Sequence, residues 1–333
     1  MTDNVLTVTD LSVTFRSKRM FQPPRVVKAV NHVSFDLAAR ETLAIVGESG
    51  SGKSTVARAI MGLAPAESGD VTIMGERLSA RRGKGLRDLR RNVQMVFQDP
   101  YSSLNPSMTI LESVAEPLDV HLRLGKRERA QRVGDLLELV GLSARHASRY
   151  PHEFSGGQRQ RIAIARAVAV DPRIVICDEA VSALDVSTQN QIVGLLRELR
   201  DRLGTAFLFI SHDLAVVRHL ADRVAVMYFG QVVESGPVAE VFESPQHPYT
   251  QALLSAVPIP DPVVQRERER IVLVGEMPDV SAPPTGCAFN PRCQYAMDVC
   301  RAEAPPSVQV AGGAQASCHL LHQIETTGGT VRA

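Results

Sequence analysis

The chain of 333 residues holds 37 Lys and Arg against 36 Asp and Glu, a formal net charge of +1, so its overall charge gives no drive toward nucleic acid. Hydrophobic residues make up 44% and charged residues 22%, the balance of a globular protein with one large domain or a core plus an appendage. No window approaches about 18 uncharged apolar residues, and the opening MTDNVLTVTD lacks the basic and apolar regions of a signal peptide, so a chain that stays in the cytosol is expected.

In chain order, VLTVTDLSVTF and NHVSFDL alternate apolar and polar residues and predict an antiparallel edge layer. Apolar, β-branched runs then predict strands at 42–47, 92–97, 173–178, 205–210 and 223–229. Helical patterns at 53–62, 128–141, 156–170 and 187–203 separate them, an alternation that implies an α/β fold with a largely parallel sheet. The basic stretches at 81–91, 125–132 and 266–270 read as solvated surface. Twelve of the 20 Pro lie from Pro237 onward, so 237–333 reads as a small separate module or a meandering extension.

The string GESGSGKST at 47–55 fits G-x-x-x-x-G-K-[ST] through Gly47, Gly52, Lys53 and Ser54. It follows a predicted strand and opens a predicted helix. Its glycines let successive N–H groups turn inward as a nest for phosphate oxygens, and the helix start adds partial positive charge. Glu48, Ser49, Gly50, Ser51 and Thr55 complete the candidate nucleotide cradle. Lys53 is placed to reach the β- and γ-phosphates and the Ser54 hydroxyl to ligate Mg²⁺.

The strand RIVICD ends in Asp178, followed by Glu179. An acid at a strand end of an open α/β sheet can hold Mg²⁺, and Glu179 can take a proton from an attacking water. Cys177, inside the apolar run, reads as a small buried hydrophobe. Ser155, Gly156, Gly157 and Gln158 open the helix QRQRIAIARAVA. From these residues alone, an ordinary capped helix and a second anion-binding helix start stand equal.

FSGGQRQR, lying between the P-loop and ICDEAVSALD, resembles the signature motif of ABC-type ATPases, with Phe154 where the usual form has Leu. VFQDP gives Gln98, similar to the Q-loop glutamine; SALD gives Asp185, similar to the D-loop; FISHD gives His212, similar to the switch histidine. The resemblance covers about 5–235. It implies a P-loop NTPase fold: a RecA-like core, an antiparallel β subdomain and an α-helical subdomain over about 99–170. It also implies ATP and Mg²⁺ as ligands, with Ser54, Gln98 and Asp178 around the metal, Glu179 as general base, and His212 sensing the γ-phosphate. Phe15, or Phe21 after an unusual insertion, is implied to stack on adenine. In this family two ATPase domains pack head to tail, so the signature of this chain closes over the nucleotide of a second ATPase.

The tail, ESPQHPYTQALLSAVPIPDP followed by GCAFNPRCQYAMDVC and SCHL, resembles the C-terminal region of oligopeptide/dipeptide (nickel) importer ATPases. The expected division is therefore an ABC ATPase domain over 1–236 and this C-terminal region over 237–333. The expected function is ATP hydrolysis driving peptide import, with glutathione or a nickel chelate as alternative cargo and a soluble non-transport ABC ATPase as a rival of another class. The partners implied are a second ATPase subunit, favoured as a paralogue, two membrane permeases and an extracytoplasmic binding protein, at the cytoplasmic face of the inner membrane; no nucleic acid is expected. Cys287, Cys293, Cys300 and Cys318 have five, six and 17 residues between them. Members of the family can carry a 4Fe-4S iron–sulfur centre here, and that reading is favoured over Zn²⁺ on four thiolates and over free thiols.

Overall fold

The computed structural model describes residues 4–17, 25–99, 103–258, 261, 263, 266 and 270–321. Phe21, the second candidate for stacking on adenine, lies outside them.

The two alternating stretches pair as their pattern requires. Strand β1 (Asn4–Ser17) runs antiparallel to β2 (Arg25–Ala38), with Val8 opposite Phe35 and Val13 opposite Val30. Strand β3 (Thr42–Val46) belongs to another sheet and is buried at every residue, as a strand covered on both faces must be. After helix α1 (Lys53–Ile60), strands β4 (Ser68–Ile73) and β5 (Glu76–Arg77) return to the first sheet and give it the order β2-β1-β4-β5. The basic stretch read as plain surface contains helix α2 (Gly83–Arg91); Leu89 turns inward and Arg90 Nε donates to Met61 O over 3.2 Å. One buried residue among so many charges left no periodic signal for that helix.

Strand β6 (Val93–Val96) leads into the helical layer expected over about 99–170. Helices α3 (Ile110–His121), α4 (Lys126–Leu139) and α5 (Gly156–Val168) pack on one another there. Strand β7 (Ile174–Asp178), helix α6 (Val186–Leu203), strand β8 (Ala206–Ser211), helix α7 (Leu214–Leu220) and strand β9 (Arg223–Tyr228) complete the α/β alternation. Strand β10 (Gln231–Pro237), helices α8 (Val238–Glu243), α9 (Pro248–Ser255) and α10 (Asp298–Ala302), and strands β11 (Ser307–Gln309) and β12 (Gln315–Ser317) follow.

Among the described residues the main sheet has the order β11-β12-β10-β9-β3-β8-β7-β6. The run β9-β3-β8-β7-β6 is parallel and the remaining pairings are antiparallel. Strand alternation splits the core between its faces. On β7, Val175 and Cys177 pack with Val114, Leu136 and Ile162 of the helical layer, whereas Ile174 and Ile176 pack with Leu6, Val13 and Ile60 toward the first sheet. Full burial of such side chains contributes about 1.5–3 kcal/mol each. The register sets Val46 beside Ser211, Ile210 beside Asp178 and Cys177 beside Val96. The carboxyl ends of four strands therefore form one edge, where open α/β sheets hold ligands.

The tail packs as an extension of the main sheet. Glu234 and Ser235 of β10 pair with Ala316 and Gln315 of β12, so the last strands extend the main sheet. Phe289 and Ala314 join the core of the helical side. Glu234, 1% exposed, accepts from the N–H groups of Gln246 over 2.8 Å and His247 over 2.9 Å at the start of α9. Burial pushes its carboxyl above the usual range, against those donated hydrogen bonds.

Candidate active site

The loop after β3 can be built only from glycine at two points. A Cβ on Gly47 would lie 2.1 Å from the Met227 carbonyl oxygen, and one on Gly52, at φ 103°, would lie 2.3 Å from that of Ala29. The resulting loop wraps the Lys53 ammonium, which donates to Gly47 O and Glu48 O, each over 2.8 Å, and is only 4% exposed. Burial lowers the Lys53 pKa, while the Glu179, Asp178 and Glu48 carboxylates raise it. Ser51 and Thr55 bond within the loop, to Glu48 O over 3.2 Å and Gly52 O over 3.0 Å.

Two carboxylates face this loop. The Ser54 hydroxyl donates to Asp178 Oδ1 over 2.9 Å, and burial pushes the Asp178 carboxyl up. Glu179 adopts a left-handed backbone, φ 49°, an uncommon conformation for a residue with a side chain. Its Oε2 accepts from Gln98 Nε2 over 2.9 Å, and its Oε1 lies 3.4 Å from His212 Nδ1. Asp178 ends β7, Gln98 follows β6 and His212 follows β8, so residues far apart in sequence converge at one sheet edge.

The other candidates form separate groups. Ser155 and Gln158 cap α5 reciprocally: Gln158 N donates to Ser155 Oγ over 3.3 Å, and Ser155 N donates to Gln158 Oε1 over 3.1 Å. Phe154, 5% exposed, anchors this turn in the core and meets His146 edge-on. Gly156 and Gly157 lie against the segment that starts α6; a Cβ on Gly157 would be 2.5 Å from Thr188 Cγ2. Asp185 is the N-cap of that helix, accepting from Thr188 N over 3.0 Å and from the Ser187 and Thr188 hydroxyls, each over 2.7 Å. Those hydrogen bonds hold its carboxyl far below the usual range. Phe15 stands on β1 opposite Val27, 44% exposed. Cys287, Cys293, Cys300 and Cys318, none of them in a disulfide, line one small cavity with His247 and Phe289.

Sequence reasoning missed two residues at the loop. Tyr249 Oη accepts from Glu48 N over 2.9 Å, and Arg292 pairs with the Glu48 carboxylate. They lie 201 and 244 residues downstream of Glu48, a separation no local motif can signal.

The family model described as ABC transporter matches residues 30–182, and that described as Oligopeptide/dipeptide transporter, C-terminal region, matches residues 233–300. The oligopeptide transport ATP-binding protein OppF of Salmonella typhimurium is 49% identical over 306 residues, spanning 90% of this chain and 92% of that protein. This chain belongs to the ABC transporter ATP-binding proteins. The di/tripeptide transport ATP-binding protein DppF of Pseudomonas aeruginosa is 47% identical over 324 residues, spanning 96% of this ABC protein and 99% of that one. A solved ATP-binding cassette, dimeric in a post-hydrolysis state with ADP and Pi, matches with a TM-score of 0.62 and 31% identity over 70% of this chain and 98% of that chain. ABC ATPases use ATP and Mg²⁺ and are peripheral to the membrane. No described helix here is long and apolar enough to cross one. Nor is any group of three or more His, Cys, Asp or Glu among the described residues spaced to hold a metal ion. Mg²⁺ at such sites takes one or two protein oxygens plus substrate phosphates, which the Ser54–Asp178 pair suits.

Proposed function

We propose that this chain is the ATP-hydrolysing subunit that powers peptide import through an ABC transporter. One observation carries the reading: Lys53, Ser54, Asp178, Glu179, Gln98 and His212 converge on one sheet edge, in a chain whose tail matches the oligopeptide/dipeptide transporter region. Lys53 and the loop amides neutralise phosphate charge; Ser54, Asp178 and Gln98 would hold Mg²⁺, whose chemistry is to offset the phosphates' negative charge. Glu179 takes the proton from the attacking water, and His212 senses the γ-phosphate. Fixed donors and a metal supply most of the rate in phosphoryl transfer. Phe15 stacks on adenine.

The second wall of each pocket comes from a second ABC ATPase, a paralogue in this reading. Ser155, Gly156, Gly157 and Gln158 face the nucleotide that partner holds, and Asp185 lies at the boundary between the two chains. The separate build of the Ser155 helix start supports this, as does the likeness to a dimeric cassette. The pair works at the cytoplasmic face of the inner membrane, against two permeases fed by an extracytoplasmic binding protein. A groove of about 560 Å³ supports permease docking; among its lining residues, Phe97 and Val120 are 44% and 48% exposed. The division into 1–236 and 237–333 is then one of roles, crossed by continuous packing.

The four cysteines hold a 4Fe-4S cluster in this reading. What supports it is that the four cysteines, none of them in a disulfide, line one small cavity. Burial pushes the Cys287 and Cys293 thiols up and that of Cys318 to about 11. Bound there, such a cluster would crosslink the loops that bear Cys287, Cys293, Cys300 and Cys318. Brown protein with charge-transfer absorbance, bleached by Cys293→Ser, is expected; colourless zinc-loaded protein overturns the assignment.

The test of function is reconstitution with permeases and binding protein in vesicles. Phosphate release is expected to rise when the binding protein carries peptide, and a rate indifferent to peptide refutes the importer reading. For the isolated chain, a specific activity independent of protein concentration refutes the shared pocket.

A further inference from the structure

The geometry points to Arg292, in the C-terminal region, as a positioning residue of the nucleotide site, an inference that rests on the ATP-binding reading of the P-loop. Glu48, the first variable residue of that loop, is held at three places. Its N–H donates to Tyr249 Oη over 2.9 Å. Its carboxylate takes a forked pair of bonds from Arg292, Nη1 to Oε2 over 2.9 Å and Nη2 to Oε1 over 3.3 Å. Its carbonyl oxygen accepts from the Lys53 ammonium over 2.8 Å. Two of the three holds come from beyond residue 237, and the third is the lysine that meets the phosphates.

The clamp is rigid on the tail side. The Arg292 side chain is 8% exposed and its guanidinium lies 6.0 Å from the centre of the Tyr228 ring. It projects from a turn, Asn290–Arg292, that Asn290 pins through Nδ2 to Thr285 O over 2.9 Å and to Cys287 O over 2.8 Å. Tyr228, Tyr249 and Phe289 pack together, with ring centroids 4.7–5.5 Å apart. A planar guanidinium on a carboxylate fixes orientation as well as distance, which a lysine ammonium does not. Arg292 thus sets the path of the loop at Glu48, and through the Glu48 carbonyl it sets where the Lys53 ammonium waits. A loop held in its binding shape loses less freedom when nucleotide arrives.

A mere fastening of the tail would show itself in stability, whereas a positioning role shows itself in nucleotide affinity. The experiment uses the full chain with Mg²⁺ and a non-hydrolysable ATP analogue, together with steady-state ATPase of the assembled transporter. Arg292→Gln is expected to weaken analogue binding and raise KM for ATP by about tenfold, with kcat at saturation little changed. Arg292→Lys is expected to recover part of that loss. Glu48→Gln combined with Arg292→Gln is expected to cost no more than either alone, because both break one pair. Unchanged affinity in Arg292→Gln alongside a lowered Tm overturns the inference, as does strict additivity of the two changes. If Arg292→Gln does not fold, Tyr249→Phe removes only the hydroxyl that meets Glu48 N; an analogue affinity equal to wild type then overturns it. Failure of the wild-type chain to bind the analogue is a different result, which refutes the ATP-binding reading itself.

Discussion

Gln98 Nε2 donates to Glu179 Oε2 across 2.9 Å, joining a loop after β6 to the acid that follows β7. The proposed water-orienting amide and the proposed base are thus in direct contact. Glu179→Gln removes the carboxylate as a proton acceptor and keeps its size. Phosphate release in the assembled complex is expected to fall by about 100-fold or more while ATP binding persists. Steady-state release paired with nucleotide trapping reads this, and an unchanged release rate removes Glu179 from the role of base.

The Ser54–Asp178 bond joins the candidate metal oxygens to each other. Ser54→Ala is expected to raise the Mg²⁺ concentration for half-maximal ATPase by about tenfold or more. Titrating Mg²⁺ at fixed ATP measures it, and a superimposable titration would show that the hydroxyl does not reach the ion.

Gly157 and Thr188 meet so closely that one added methyl has no room. Gly157→Ala is expected to destabilise the chain by about 1–3 kcal/mol through overpacking. Thr188→Ser in the same chain removes Cγ2 and keeps the hydroxyl that bonds Asp185, so denaturation midpoints are expected to return toward wild type. No recovery in the double variant would place the strain elsewhere.

Glu234→Ala leaves the Gln246 and His247 amides without their acceptor at the start of α9. A loss of about 1.5–3 kcal/mol is expected in chemical denaturation, the range for hydrogen bonds to a charged group. A change below about 0.5 kcal/mol, typical of a surface substitution, would mean that water replaces the carboxylate.

Most of the sheet and of the candidate site was legible because its signals are local. The apolar run at 42–47, the P-loop after it and the acid pair 178–179 at the end of the run 173–178 each fit within ten residues, and topology alone brings them to one edge. The signature turn was legible as a cap, but its contact with Thr188 was not, because it depends on how α5 meets α6. Strands of three residues, such as Ser307–Gln309 and Gln315–Ser317, are too short to display a period of two, so the tail read as irregular where it extends a sheet. The hold of Arg292 on Glu48 joins two segments that only the finished fold brings together.

The pairing of β12 with β10 limits how such proteins can be recombined. A chimera spliced after residue 236 would strip β10 of its outer neighbour and Tyr228 of its Phe289 cover, leaving a bare strand edge ready to pair with another molecule. Grafting a foreign tail therefore means matching a sheet register and an aromatic socket as well as a linker. Engine and appendage have to be exchanged together.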